Sequence, residues 1–179
     1  VISVTQAFLR IPASRIAVLI GPSGKTKKKI EKATSSRVSI DSKTGEITIE
    51  SRDAEKQNRA ESIVKAIGRG FSPGKALLLA KGDYTLSVLN LRELLGKSER
   101  TIKQKKARVI GRNGNIRNRI EKETGSHVSV YGNTVSLIGL FEEVENAELV
   151  VKAILEGANI STAFEMLREK LAREKRFEL

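Results

Sequence analysis

Two tetrads in this 179-residue chain combine the residue types that hold phosphate: Gly21-Pro22-Ser23-Gly24 and Gly111-Arg112-Asn113-Gly114. Glycine without a Cβ lets a turn be sharp and lets another backbone approach closely. A helix that starts on such a turn presents free N–H groups and the positive end of its dipole, which favours an anion. Lys and Arg on the outer face of that helix add long-range attraction. Each tetrad here is followed by such a basic segment, from Lys25 to Lys32 and from Arg117 to Lys122.

Other chemistries find fewer supports. Gly24-Lys25-Thr26 resembles the end of a nucleotide-hydrolysing phosphate loop, but that loop needs Gly five residues before Gly24, where Leu19 stands. The chain has no Cys, which removes disulfides, thiolate metal sites and thiol nucleophiles together. One His, His127, leaves little material for a His-rich metal cage or a Ser-His-Asp triad. It opens an expected strand with Arg37 as its repeat partner, and reads as a groove-edge or plain surface residue. Glu31 and Glu121 neighbour Lys32 and Lys122, which reads as surface ion pairing rather than acid–base chemistry. No enzyme activity, metal or cofactor is expected.

The tetrads belong to a longer repeat. Ile20 to Ile40 (IGPSGKTKKKIEKATSSRVSI) and Ile110 to Val130 (IGRNGNIRNRIEKETGSHVSV) agree at 10 of 21 positions without a gap. A second match sets Val64-Lys65-Ala66-Ile67 beside Val151-Lys152-Ala153-Ile154. Its offset is 87 rather than 90, and two of the three residues of difference lie in one shorter loop: six residues separate Ile40 from Ile47, and four separate Val130 from Val135. The chain is therefore two copies of one unit, with a boundary expected between residues 81 and 82.

Pattern supplies the elements that must position the tetrads. Alternating segments Ala7 to Ile11 and Tyr84 to Leu91 read as strands. Short apolar helices, Ser14 to Ile20 and roughly Thr101 to Ile110, lead into the glycines. The basic helices after them turn Ile30 and Ala33, or Ile116 and Ile120, inward. Hairpins follow, from Arg37 to Ile40 with Glu46 to Glu50, and from His127 to Val130 with Thr134 to Leu137. Ala60, Ile63, Val64 and Ile67 then mark an amphipathic helix, as do Val144, Ala147, Val151 and Ile154. A trailing helix ends each copy. Ser72-Pro73 heads the first, and Thr162-x-x-Glu165 reads as a capping box heading the second, with Phe164, Leu167 and Leu171 inward.

Strand, helix, glycine loop, helix, two strands and a helix, given twice, resembles the KH domain in its type I arrangement. The resemblance implies an α+β fold of two tandem KH units, each a three-stranded antiparallel sheet packed by three helices, with one extra C-terminal helix per unit. It also implies a clamp on about four single-stranded nucleotides per unit. Aromatic residues are only 4%, which disfavours stacking platforms of other kinds. FLRIP near the start, IGRNGNIRNRIE at the second loop and YGNTVSLIG beyond it are together similar to the archaeal partner-of-Nob-one (Dim-two) family.

That family resemblance implies binding near the 3′ end of small-subunit ribosomal RNA during its maturation. The implied protein partners are the Nob-one endonuclease and the alpha subunit of translation initiation factor two. Matched to the KH pattern, Gly111, Arg112, Asn113 and Gly114 form the main clamp. Arg108, Arg117 and Arg119 steer phosphates, and Ile116, Ile120 and Val128 form an apolar floor for bases. Gly21, Gly24, Lys25 and Lys28 are their first-copy counterparts. Pro22 and Ser23 depart from the pattern: Pro22 has no N–H to donate and the loop carries no charge. The second unit is thus expected to be the primary RNA clamp. Two alternatives remain, a protein adaptor for a nuclease or initiation factor, and a general single-stranded RNA or mRNA binder.

Charge fits this picture. Lys and Arg number 33 against 21 Asp and Glu, a net charge of +12, typical of a polyanion binder. Residues 1–80 hold 15 basic and 7 acidic groups, 81–127 hold 12 and 5, and 128–179 hold 6 and 9. Glu142, Glu143, Glu145 and Glu148 near a helix start either complement its dipole or form a patch for a basic partner. The longest apolar run, Ala76 to Ala80, is far short of the roughly 20 residues of a membrane span, so no membrane association is expected. Val1 and Ile2 open no leader-like succession. A cytoplasmic monomer is the expectation.

Overall fold

The computed structural model describes residues 4–177, so the reading of Val1 and Ile2 lies outside the described residues. The chain divides into two compact units that meet at Leu86 and Ser87.

The first unit runs β1 (Thr5–Arg10), α1 (Ala13–Ile20), α2 (Lys25–Thr34), β2 (Arg37–Ile40), β3 (Glu46–Ser51), α3 (Ala54–Gly68) and a short α4 (Pro73–Ala76) continued by a tight turn, Leu77–Ala80. Its sheet order is β1-β3-β2, antiparallel at both joins. Alternation explains β1: Thr5, Ala7 and Leu9 face inward, while Gln6, Phe8 and Arg10 are exposed. Arg10 lies opposite Glu46 and pairs with it at 2.6 Å. Leu19, Ile30, Val38, Ile47, Ile49, Ile63 and Ile67 are fully buried. Asp53 caps α3 by accepting from the amides of Glu55 and Lys56, at 2.9 and 3.3 Å.

The second unit runs β4 (Tyr84–Asn90), α5 (Leu91–Leu95), α6 (Glu99–Ile110), α7 (Asn115–Thr124), β5 (His127–Tyr131), β6 (Thr134–Leu140), α8 (Phe141–Glu156) and α9 (Ile160–Phe177). Sheet order is β4-β6-β5, the same arrangement as in the first unit. Leu91, Ile102, Val109, Ile120, Leu137, Val151 and Phe164 belong to one buried cluster. Burying side chains of this size contributes about 1.5–3 kcal/mol each.

The structure departs from the sequence reading at four places in the fold. Ala33 is exposed; the buried face of α2 is Thr26, Ile30 and Thr34. Thr34 Oγ1 donates to the Ile30 carbonyl at 2.8 Å and its hydroxyl lies 2.6 Å from that of Ser36, so a polar residue closes the helix inside the core. Thr124 and Ser126 repeat the device at 2.7 and 2.8 Å. Glu31 and Glu121 have a role beyond ion pairing, which Glu31 keeps with Lys27 at 3.9 Å: their Oε1 atoms accept from the Val38 and Val128 amides, at 2.8 and 2.9 Å. Each thereby pins the basic helix to the next strand. Thr162 lies exposed within α9, which begins two residues earlier, with the Ala163 amide bonded to the Asn159 carbonyl. Finally, α5 was not anticipated; Asn90 caps it through the Arg92 amide at 3.1 Å.

Three of the four acidic residues around the start of α8 have partners within the unit, and Glu142 is exposed. Glu143 accepts from the Leu140 amide at 2.8 Å, Glu145 pairs with Lys170 at 2.7 Å, and Glu148 pairs with Lys152 at 2.7 Å. Glu143 thus serves the helix start, as expected, and Glu145 also ties α8 to α9, a role the sequence reading did not include.

Candidate nucleic-acid interface

Each glycine loop joins two helices by the same backbone path. Gly21 has φ 71° and ψ 173°, Ser23 φ 53° and ψ 31°, and Gly24 φ 71° and ψ 14°. Gly111, Asn113 and Gly114 stand at 74° and 175°, 53° and 27°, and 75° and 14°. Three of four residues in each loop therefore occupy positive φ, which is why two of them are glycine. Asn113 tolerates that region better than Ser23 does. The first glycine is also fixed by space. A Cβ on Gly111 would lie 2.2 Å from Asn115 Oδ1 and 2.4 Å from Ile116 Cγ1; on Gly21 it would lie 2.2 Å from Thr26 Oγ1. Pro22 and Ser23 thus leave the loop's shape unchanged and alter only its chemistry.

Internal bonds hold both loops. The Gly111 amide donates to Ala107 at 2.8 Å, Gly114 to Gly111 at 3.2 Å, and Asn115 to the Arg112 carbonyl. Gly21, Gly24 and Lys25 repeat the set. Arg112 and Asn113 are exposed at the tip, and Arg117 is exposed one turn further on. A methyl group on Gly114 would lie 3.4 Å from Arg117 Nη2, so this guanidinium rests over the loop's second glycine. Lys25 and Lys28 are exposed after the first loop.

Four residues expected at the site are placed elsewhere. Arg108 Nη1 donates to the Ile154 carbonyl at 2.9 Å and Nη2 to the Ala158 carbonyl, satisfying the C-terminal end of α8. Its guanidinium is committed to the fold and is not aimed at a ligand. Arg119 lies over the Phe164 ring, 3.8 Å from its centroid, and pairs with Glu123 at 2.7 Å. It fastens α9 onto α7. Ile120 and Val128 are 0% and 5% exposed, so they are core and offer no floor to a base. Only Ile116, half-buried against that core, still presents apolar surface beside the loop.

The structure adds residues that the sequence reading did not place at the loop. Arg100, Lys103, Gln104 and Ala107 are all exposed on α6. At 100° per residue they share an arc of about 100° with Gly111, with the two basic ones, Arg100 and Lys103, at the far end of the helix and the neutral Gln104 and Ala107 nearer the loop. The signal was available in the i, i+3, i+4, i+7 spacing. In the first unit the positions matching Lys103, Gln104 and Ala107 are the uncharged Ala13, Ser14 and Ala17, and the position matching Arg100 is Arg10, in β1. Among the described residues no group of three or more His, Cys, Asp or Glu is arranged to hold a metal, and no helix is long and apolar enough to cross a membrane.

With this geometry, comparison with known proteins is informative. Residues 6–66 match a model described as KH domain, and residues 85–172 match one described as eukaryotic type KH-domain, KH-domain type I, of the PNO1 second-domain class. A KH domain-containing protein of Methanocaldococcus jannaschii is 42% identical, the alignment covering 96% of this chain and 78% of that protein. The crystal structure of Dim2p from Pyrococcus horikoshii superposes with a TM-score of 0.86 at 38% identity, over 92% of this chain and 99% of that one. The same organism's a/eIF2alpha–aDim2p–rRNA complex contains a chain with a TM-score of 0.86 at 37% identity, over 93% and 94%. The two three-stranded sheets with their packed helices are two tandem KH domains, and the chain belongs to the archaeal tandem-KH family of Dim2 and PNO1 proteins.

Proposed function

We propose that this protein binds single-stranded RNA near the 3′ end of small-subunit ribosomal RNA and assists maturation of that end in the cytoplasm. It acts as a binding protein rather than an enzyme, beside a Nob-one type endonuclease. The functional units are residues 1–81 and 82–179, and the second is the primary clamp. One observation carries this reading: two loops share one backbone path, but only the second has a charged tip, Arg112, and the first has Pro22 and Ser23 where the second has Arg112 and the amide of Asn113. Gly111 and Gly114 shape that clamp, Arg117 stands over it and Ile116 flanks it. Gly21, Gly24, Lys25 and Lys28 form the weaker first site. The presence of rRNA in the Pyrococcus Dim2p complex supports the ligand class.

The same complex holds the alpha subunit of an initiation factor, which supports that protein as a partner and favours an adaptor role alongside RNA binding. Competition separates the readings. A labelled oligonucleotide matching the rRNA 3′ end is expected to resist displacement by unrelated single strands by about tenfold or more. Equal competition would make the protein a general single-strand binder, and no RNA binding beside tight factor binding would make it an adaptor.

A further inference from the structure

A basic surface runs on from the first loop along α2, starting with Lys25 and Lys28 of the weaker first site and continuing beyond it. Lys25, Lys28, Lys29 and Lys32 stand at i, i+3, i+4 and i+7 on α2, and all four are exposed. At 100° per residue they occupy an arc of about 100°, and their Cα atoms span about 10 Å along the axis. The opposite face, Thr26, Ile30 and Thr34, is buried. The fifth lysine, Lys27, turns aside to Glu31 at 3.9 Å. Among the described residues none of the four forms an ion pair with a carboxylate.

The repeat supplies an internal comparison. On α7 the same arc holds Asn115, Asn118, Arg119 and Lys122. Two of these are neutral, and Arg119 is committed to Glu123 and Phe164. A four-lysine ladder on an otherwise matching frame is therefore a property of the first unit alone.

The ladder sits on the outward side of a helix, and no aromatic or large apolar side chain interrupts it. It has nothing to stack or seat a base. Ammonium groups are compact point charges that meet phosphate without a fixed fork geometry. A flexible single strand bound only through phosphates would lose conformational freedom without gaining base contacts. A duplex brings its phosphates already in rows, and A-form RNA is recognised mainly through backbone and shape.

We propose that the α2 lysine face docks the phosphate backbone of a double-stranded RNA segment, independent of sequence, while the second unit holds a single strand. This rests on the reading above in taking RNA as the ligand and the second unit as the single-strand clamp, and it gives Lys25 and Lys28 of the weaker first site to the duplex together with Lys29 and Lys32.

The test uses the full chain and two labelled probes, a blunt RNA duplex and the single-stranded rRNA 3′ end, followed by anisotropy across a salt series. K29E/K32E is expected to weaken duplex binding by about tenfold and to lower its log–log salt slope by about 2, while single-strand affinity stays within about twofold. K29R/K32R should retain duplex binding. The proposal is overturned if wild-type protein does not bind the duplex, or if K29E/K32E binds it as well as wild type with an unchanged slope. R112D/N113D reports separately: intact single-strand binding in that variant removes the clamp assignment and leaves the duplex result standing.

Discussion

Arg15 and Arg108 reach equivalent carbonyls from places one helical turn apart. Arg15 donates to Ile67 and Phe71 at 2.7 Å each, and Arg108 donates to Ile154 and Ala158. The acceptors match at the repeat offset of 87, yet the loops align at 90, which would pair Arg15 with Lys105. One physical need, satisfying a carbonyl in the last turn of α3 or α8 and another in the segment just after it, has been met twice by the same residue type at different positions.

Arg108→Ala is accordingly a stability variant. Losing charge-assisted bonds to two part-buried carbonyls is expected to cost about 2 kcal/mol in denaturant unfolding. Single-strand affinity of the folded protein should stay near wild type. A selective loss of RNA binding with stability intact would return Arg108 to the interface.

The first loop is shaped like the second and differs in chemistry, so it should be convertible. Replacing Pro22 by Arg restores an N–H and adds a charge, and Asn at position 23 suits the φ of 53° there. In an R112D/N113D background, P22R/S23N is expected to recover single-strand binding by about tenfold. No recovery would show that more than the loop tip separates the two sites.

Much of this was legible in the sequence, for identifiable reasons. The repeat located both loops, and 3.6-residue spacing found α3 and α8, because these elements bury one continuous stripe: Ala60, Ile63, Val64 and Ile67 are all 0% exposed. Charge type misled where tertiary contacts decide the job. Arg108 and Arg119 look like phosphate ligands in the sequence, but α8 and α9 supply carbonyls, a carboxylate and a ring within reach. Ile120 and Val128 were assigned to a floor because an apolar residue near a groove cannot be told from core until the sheet is in place. Glu31 and Glu121 accept from amides seven residues on, across a turn that local ion-pair spacing does not describe.

Glu148 gives a pH-dependent signature for the second unit. Burial pushes its pKa up, but hydrogen bonds from Lys152 and Ser87 and the Lys152 charge outweigh it, and the carboxyl titrates below its ordinary value of 4.5. A folded-state pKa below the unfolded one stabilises above the unfolded value, and that stabilisation is lost as pH falls through the folded value. E148Q should therefore melt about 3 °C lower near neutral pH. The gap should narrow as the pH falls below 4.5 and close once it has passed through the lowered folded-state value, where the wild-type carboxyl is protonated too. A gap that persists unchanged in acid would assign the effect to packing instead.

The central claim is that the Gly111–Gly114 loop is the single-strand clamp. It is tested most directly by anisotropy titration of the labelled rRNA 3′ end against wild-type protein and R112D/N113D over a salt series. Wild type is expected to bind with a log–log slope of about −0.7 per neutralised phosphate, and R112D/N113D to lose binding while keeping its melting temperature. Equal affinity and slope in the two proteins would contradict the assignment.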